Sequence, residues 1–375
     1  MPRVAAPTDI TVIGGGIVGC AIAFELASRG ASVRVVDDRP AGMGATQASA
    51  GMLTPYHEAH GGSQLLDLAL RSLELFDTFV ERATAASGMA PVYHRTGSLQ
   101  VASRDETMTR LEGLAAWLGG RGVMVEMVDA EGARDLEPHL SADVRGGLLI
   151  PAHGFVAAAD LTRALATAAR RHGAQILEQD RVTRVGVRGG DLVVETGRGS
   201  LTTGAVVLAA GSWSGQIDVD GCRARLPVRP VRGQMLQLAW NGPPMRRVTW
   251  GERCYLVPWD DGTLLVGATV EEAGFDERTT AAGVRDLIEA ACDLVPGVWT
   301  AGFRAARAGL RPATPDDLPV IGMSERLPNL MYATGHYRSG VLLAPITAQV
   351  VADALLDDRL DPLLAATRPG RFGDL

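Results

Sequence analysis

Hydrophobic and polar positions are most regular at the start of the chain. Ile10 to Ile13 form a short apolar run that reads as a buried strand. Three glycines follow, Gly14, Gly16 and Gly19, in G-x-G-x-x-G spacing. Apolar residues then recur with helical period from Ile17 to about Ala27, and Gly30 is placed to end that helix. A second apolar strand, Ser32 to Val36, ends on Asp37, eighteen residues beyond Gly19. Gly14 allows the tight turn, Gly16 lets a pyrophosphate approach the backbone, and Gly19 lets helix and strand pack closely. The first helical turn, with Ile17 and Val18, offers unpaired N–H groups and a positive dipole end to phosphates. Asp37 can accept hydrogen bonds from ribose hydroxyls. Strand, helix, second strand and acid all accompany the glycines, so the pattern predicts a dinucleotide site.

Beyond Asp37 the periods alternate. Residues 41–55 are rich in small side chains and have no period, which suits close approach to a planar ligand. Helices are expected at about Gln64–Ala83, Asp105–Leu118, from an Asp160 cap to Arg171, at Ala281–Leu294, and at Leu342–Leu356. Residues 92–103 read as a strand pair turning at Thr96–Gly97. Residues 123–145 mix short strand and helix signals, and 146–156 return to strand and loop character. Further strands are expected at Ala174–Leu177, Val182–Val187, Asp191–Thr196, Ala205–Leu208 and 329–335. The run Ala205–Leu208 is placed to rejoin the first sheet. From Leu226 to about Val270 alternating strands separated by turn signals read as an antiparallel sheet. The expectation is an α/β fold: a Rossmann-like nucleotide domain, in pieces, with a mainly antiparallel β-sheet substrate domain inserted. The pieces are 1–88, 147–218 and 305–375 for the nucleotide domain, and 89–146 with 219–304 for the substrate domain.

Composition narrows the chemistry. All 36 basic residues are Arg; the chain has no Lys. Schiff-base chemistry with pyridoxal phosphate and a Walker A loop both need that amine, so both are excluded. Cys20, Cys222, Cys254 and Cys292 are scattered without a CxxC pair, against a zinc knuckle or redox dithiol. A net charge of −7 and no basic cluster with interleaved aromatics argue against a nucleic-acid partner. No apolar run reaches the ~18 residues of a membrane span, and the opening MPRVAAPTD lacks an apolar signal core, so a cytoplasmic location is expected. A single dinucleotide fingerprint argues for a flavin reduced directly by its substrate.

Seven segments carry a resemblance over nearly the whole chain: IGGGIVG (13–19), ASAGML (48–53), TGSLQVA (96–102), LAAGSWS (208–214), CYLVP (254–258), AGLRPATPDDLPVIG (308–322) and GHYRSGVLLAP (335–345). They resemble the FAD-dependent D-amino acid oxidase superfamily, nearest its glycine oxidase subgroup, which feeds thiazole synthesis for thiamine. The resemblance implies FAD, with Asp37 at the adenosine ribose. It implies Thr46, Ala50, Gly51 and Met52 along the flavin, the Val182 backbone at the adenine, and Gly211 in the turn after the returning strand. Gly335, Gly340, Val341 and Leu342 would lie under the flavin's pyrimidine end. No Cys falls within 308–345, so the FAD is expected to be non-covalent.

The same resemblance makes Arg311 the group that grips the substrate carboxylate; a salt bridge with Asp316 or Asp317 is the structural alternative. It makes Tyr255 the hydroxyl that helps hold that carboxylate, against a half-buried strand aromatic. Arg338 would stand near the flavin and substrate, against a surface loop arginine. His336 is expected to pack beside the flavin loop, and His94 and His153 have no assigned role. The implied reaction is oxidation of glycine or another small amino acid or secondary amine, by hydride transfer to flavin N5. It gives oxo acid, ammonia or amine, and hydrogen peroxide from molecular oxygen. The alternative is a D-amino acid dehydrogenase that passes electrons to a quinone or carrier. Tyr337, Ser339 and Arg253 depart from the subgroup's pattern and bear on substrate choice. A homo-oligomer is the family's habit and the expectation here.

Overall fold

The glycine turn forms where its spacing puts it. The computed structural model describes residues 9–58 and 64–375; the segment 1–8, read for a signal core, lies outside the described residues. Strand β1 (Asp9–Ile13), helix α1 (Ile17–Ser28) and strand β2 (Ser32–Val36) follow in order, with β1 and β2 parallel from Asp9↔Ser32 to Ile13↔Val36. A Cβ on Gly19 would fall 1.9 Å from the Gly14 carbonyl oxygen, so only glycine lets the helix pack this close. Gly14 takes φ +109°, and a Cβ there would strike the Ala209 oxygen at 2.4 Å. The sheet has six strands in the order 320–323, 330–334, 205–208, β1, β2, 175–177. All pairs are parallel except the first. As expected, Ala205–Leu208 returns beside β1. Helix α1 is apolar on every side because it lies between two other helices, Ala158–Arg171 and the helix Ala344–Leu356. Phe24, Leu26, Leu161, Leu165, Ile346 and Val350 close that core.

The second large sheet has eight strands. Its members include β3 (Ser98–Ala102), followed in the chain by helix α2 (Asp105–Gly119). Then come β4 (Arg229–Ala239), β5 (Val248–Trp250), β6 (Tyr255–Pro258), β7 (Thr263–Gly267) and β8 (Gly302–Ala313). The order is β8-β4-β7-β6-β5-β3, then 146–150 and 126–129. Every pairing is antiparallel except β5 with β3. The β4–β8 pair runs from Ala239↔Gly302 to Arg229↔Ala313. Its far half leaves the sheet's core and touches the nucleotide side: Gln47 Nε2 donates to the Ala308 oxygen (3.0 Å) and Ser212 Oγ to the Leu310 oxygen (2.9 Å).

Several expectations are corrected. Residues 92–103 hold two strands, but they do not pair. Tyr93–His94 joins Gly154–Val156, while β3 joins the eight-stranded sheet. Gly97, at φ +81° and hydrogen-bonded through its N–H to the His153 oxygen (3.0 Å), switches the chain between sheets. The helix 158–171 starts after Ala157; Asp160 sits inside its first turn and pairs with Arg163 at 2.5 Å. The last long helix starts at Ala344, two residues late, because Ser339–Leu343 forms a tight turn ahead of Pro345. Residues 147–150 and 305–313, which the expected division put on the nucleotide side, hydrogen-bond within the eight-stranded sheet.

Glu137 ties the eight-stranded sheet together from inside. Its side chain is fully buried and accepts from the backbone N–H of Arg246 (3.0 Å) and Arg247 (3.1 Å), with Arg247 Nε at 3.6 Å. Glu137→Ala strands those donors and leaves the half-buried Arg247 guanidinium without its anion. The expected loss is about 3 kcal/mol in denaturant unfolding; a loss within about 0.5 kcal/mol, the usual range for surface changes, contradicts this reading.

Candidate active site

One cavity of about 820 Å³ opens between the six-stranded and eight-stranded sheets. At one end stand Gly14 and Gly16 of the β1–α1 turn, Ile17 and Val18 of the first turn of α1, and Asp37 just past β2. Helix α1 has no side-chain cap, so its first-turn N–H groups and dipole bear on this end. Ile17 N–H is already taken by Thr46 Oγ1 (3.1 Å). Asp37 Oδ2 accepts from Gly15 N–H (2.6 Å) and Oδ1 from Arg39 N–H (2.7 Å). The carboxylate therefore braces the glycine loop as well as facing the cavity. Burial raises its pKa above the usual carboxylate value. Val182, at the head of its strand, lines the same end.

Midway, Thr46, Ala50, Gly51 and Met52 form one wall. Gly51 lies so close to Val156 that a Cβ would sit 1.7 Å from its carbonyl oxygen. Gly211, Arg338, Gly340, Val341 and Leu342 form the opposing part, with His336 and Ser339. Gly335 does not line the cavity; it packs on Thr314, where a Cβ would come within 2.7 Å of Cγ2. It turns at φ +73° at the end of the strand 330–334. Tyr337 also turns at positive φ (+47°) and donates its N–H to the Pro312 oxygen (2.9 Å), and the Arg338 guanidinium lies over its ring at 5.1 Å.

At the other end stand Arg311 on β8 and Tyr255 on β6. The Arg311 guanidinium lies flat on Gly233, where an added Cβ would meet it at 2.3–2.4 Å. Nη1 donates to the Thr269 oxygen (3.0 Å) and the Arg232 oxygen (3.4 Å). Both are neutral backbone acceptors that orient the group. Asp316, one of the two acids of the salt-bridge alternative, is paired with Arg371 at 2.8 Å. Tyr255 lies against Gly267, where a Cβ would be 2.2 Å from its hydroxyl oxygen. The two glycines on β4 and β7 are thus seats for the two polar side chains.

A family model described as FAD dependent oxidoreductase matches residues 9–354. The chain belongs to the FAD-dependent oxidoreductase family. It is 35% identical over 349 residues to glycine oxidase of Geobacillus kaustophilus, covering 92% of each chain. It is 36% identical over 375 residues to the bifunctional protein ThiO/ThiG of Synechocystis sp., covering 97% of this chain but only 54% of that protein, about half its length. The crystal structure of the Geobacillus kaustophilus glycine oxidase matches with a TM-score of 0.92 at 34% identity, over 97% of this chain and 98% of that one. Within the family this chain stands among the amino acid oxidases, and its cofactor is FAD.

The residues fit that cofactor. The uncapped α1 N-terminus suits a pyrophosphate, and the Cβ-free approach at Gly14 and Gly19 keeps the phosphate turn open. Cys254 also lines the cavity, which its position outside 308–345 did not suggest; burial pushes its thiol up to about 12, so it stays protonated. Among the described residues no helix is long and apolar enough to cross a membrane. The sequence reading missed Arg39, Trp213, His57, Trp250, Gln100 and Arg110, all on the cavity wall. Arg39, two residues past Asp37, stacks on Trp213 at 4.5 Å and grips Glu277 at 2.7 Å. Trp250 is the register partner of Tyr255, a signal available only once the β5–β6 pairing is known.

Gly233→Ala is expected to push Arg311 out of place, raising KM for substrate at least tenfold while FAD content stays normal. An unchanged KM contradicts the seating. His336 gives a pH test. It is buried, its Nε2 lies 3.1 Å from Thr347 Oγ1, and burial pushes its pKa from 6.5 down to about 4. Between those values the unfolded chain binds the proton and the folded chain does not. The stability held by neutral His336 is complete above pH 6.5 and is lost as pH falls toward 4. His336→Gln should flatten the stability curve across that window; an identical slope in both proteins contradicts it.

Proposed function

We propose that the protein oxidises glycine or another small amino acid or secondary amine at its α-carbon, with molecular oxygen as the final acceptor. The observation that carries this reading is Arg311: a guanidinium seated on Gly233, braced by backbone carbonyls and lining the same cavity as the dinucleotide turn. Such a group binds a carboxylate bidentately and fixes which face of the substrate meets the cofactor. Tyr255, held on β6 by Gly267, donates its hydroxyl to the same carboxylate. Arg338 lends positive charge from the turn before the helix 344–356. The mixed polar and apolar walls orient the amine, and the sheets on either side limit water.

FAD, when bound, supplies the two-electron acceptor for the α-hydrogen and passes the electrons to oxygen, giving hydrogen peroxide. No side chain is assigned as proton acceptor; the substrate amine binds neutral, and the imine formed hydrolyses to oxo acid and ammonia, or amine. The protein's contribution is positioning and electrostatics. The named activities of glycine oxidase relatives support the substrate class.

Arg311→Ala is expected to raise KM for glycine or sarcosine by two orders of magnitude or more, with the yellow cofactor retained. An unchanged KM removes the carboxylate assignment. Peroxide should accumulate in step with substrate under air. Turnover that yields no peroxide and needs an artificial acceptor would favour the dehydrogenase reading.

A further inference from the structure

We propose that Arg39 and Glu277 form a clasp at the rim of the cavity that gates the passage of FAD. The cofactor enters and leaves only when this ion pair parts. The pair therefore sets the rate of cofactor exchange and not the strength of binding.

The clasp joins a loop of the eight-stranded sheet to the nucleotide side. Residues 268–280 connect β7 to the helix Ala281–Leu294. Val270 in this loop is 55% exposed and yet lines the cavity, so the loop runs along the cavity's rim. Its base is anchored to β4. Arg232, buried on that strand, binds Glu271 (2.6 Å) and Asp276 (3.0 Å) and donates to the Arg278 oxygen (3.2 Å). Gln234 donates to Glu271 (2.7 Å) and accepts from Thr280 N–H (2.7 Å). From this anchor the segment 275–277 reaches across. Arg39 and Glu277 pair through both arms, Nη1 to Oε1 at 3.0 Å and Nη2 to Oε2 at 2.7 Å. The Arg39 guanidinium also lies over Trp213 at 4.5 Å, and the Trp213 ring meets Phe275 at 5.9 Å.

The placement suits a gate. Arg39 follows Asp37 by two residues, Trp213 follows Gly211 by two, and all four line the cavity. Phe275 and Glu277 stand outside that lining, so Glu277 is a positioning residue that acts on the cofactor's path through Arg39. A contact between the two sides of a cavity must open before a dinucleotide passes, whichever way it travels. Opening it speeds entry and exit alike and leaves their ratio unchanged. The pair is also the part that can open. Its side chains keep 35% and 28% of their exposure, whereas the Arg232 side chain at the anchor keeps only 7%. Two-armed geometry puts such a pair at the upper end for partly exposed ions, about fivefold in rate.

The test follows cofactor release from the FAD-loaded protein. Holoenzyme is diluted to nanomolar concentration and flavin fluorescence is recorded; the time course gives the release rate and the plateau gives the dissociation constant. Glu277→Gln should release FAD about fivefold faster, with the dissociation constant within about twofold of the wild type. Added salt should speed release from the wild type more than from Glu277→Gln. An unchanged release rate overturns the clasp. So does faster release matched by equally weaker binding, which would make the pair part of the binding site. If Glu277→Gln does not fold, Glu277→Asp decides: the shorter acid should release FAD faster than the wild type, and an unchanged rate overturns the clasp.

Discussion

The structure depends on the long antiparallel pair β4–β8. One half of that pair is ordinary sheet, and the other half runs out to the nucleotide side, where Gln47 and Ser212 hydrogen-bond to its backbone. This continuity carries Arg311 to the cavity on a paired strand. Gly309 shows how close the join is: a Cβ there would sit 2.8 Å from the Cβ of Ala48. A side chain mounted on a paired strand is held far more firmly than one on a surface loop. The position of Arg311 relative to the glycine turn is thus tied to backbone hydrogen bonds.

The cavity's electrostatics follow from how each charge is braced. Negative charge is welcomed at the uncapped end of α1, and positive charge is stationed at Arg311, Arg338 and Arg110. The acidic groups nearby are mostly engaged: Asp37 by two backbone N–H groups, Glu252 by Arg104 and Thr107, and Glu277 by Arg39. His336 remains neutral because it is buried with only a hydroxyl for company. The result suits an anionic cofactor in the chamber.

Much of this was legible in the sequence. The glycine spacing, its flanking strands and Asp37 gave the turn because their physics is local, within thirty or so residues. Arg311, Tyr255 and Arg338 were singled out through the motifs around them, and all three line the cavity. The row Tyr255–Trp250–Gln100 was not legible, because it is a product of register between strands far apart in the chain. Arg110 looked like any exposed helical arginine, since only the packing of α2 brings it to Gln100. The boundaries between sheets were missed for a related reason. Strands 146–150 and 302–313 carry no local mark of which sheet they join. Gly335, expected under the flavin from its motif, turns at positive φ against Thr314, a contact between segments twenty residues apart that the motif alone does not show.

The most direct test of the carboxylate grip is anaerobic mixing of the yellow holoenzyme with sarcosine and, separately, with dimethylamine, the same amine without its carboxylate. The account predicts that sarcosine bleaches the flavin and dimethylamine does not, even at high concentration. Bleaching by both at similar concentrations would contradict it, as would bleaching by neither sarcosine nor any other small amino acid.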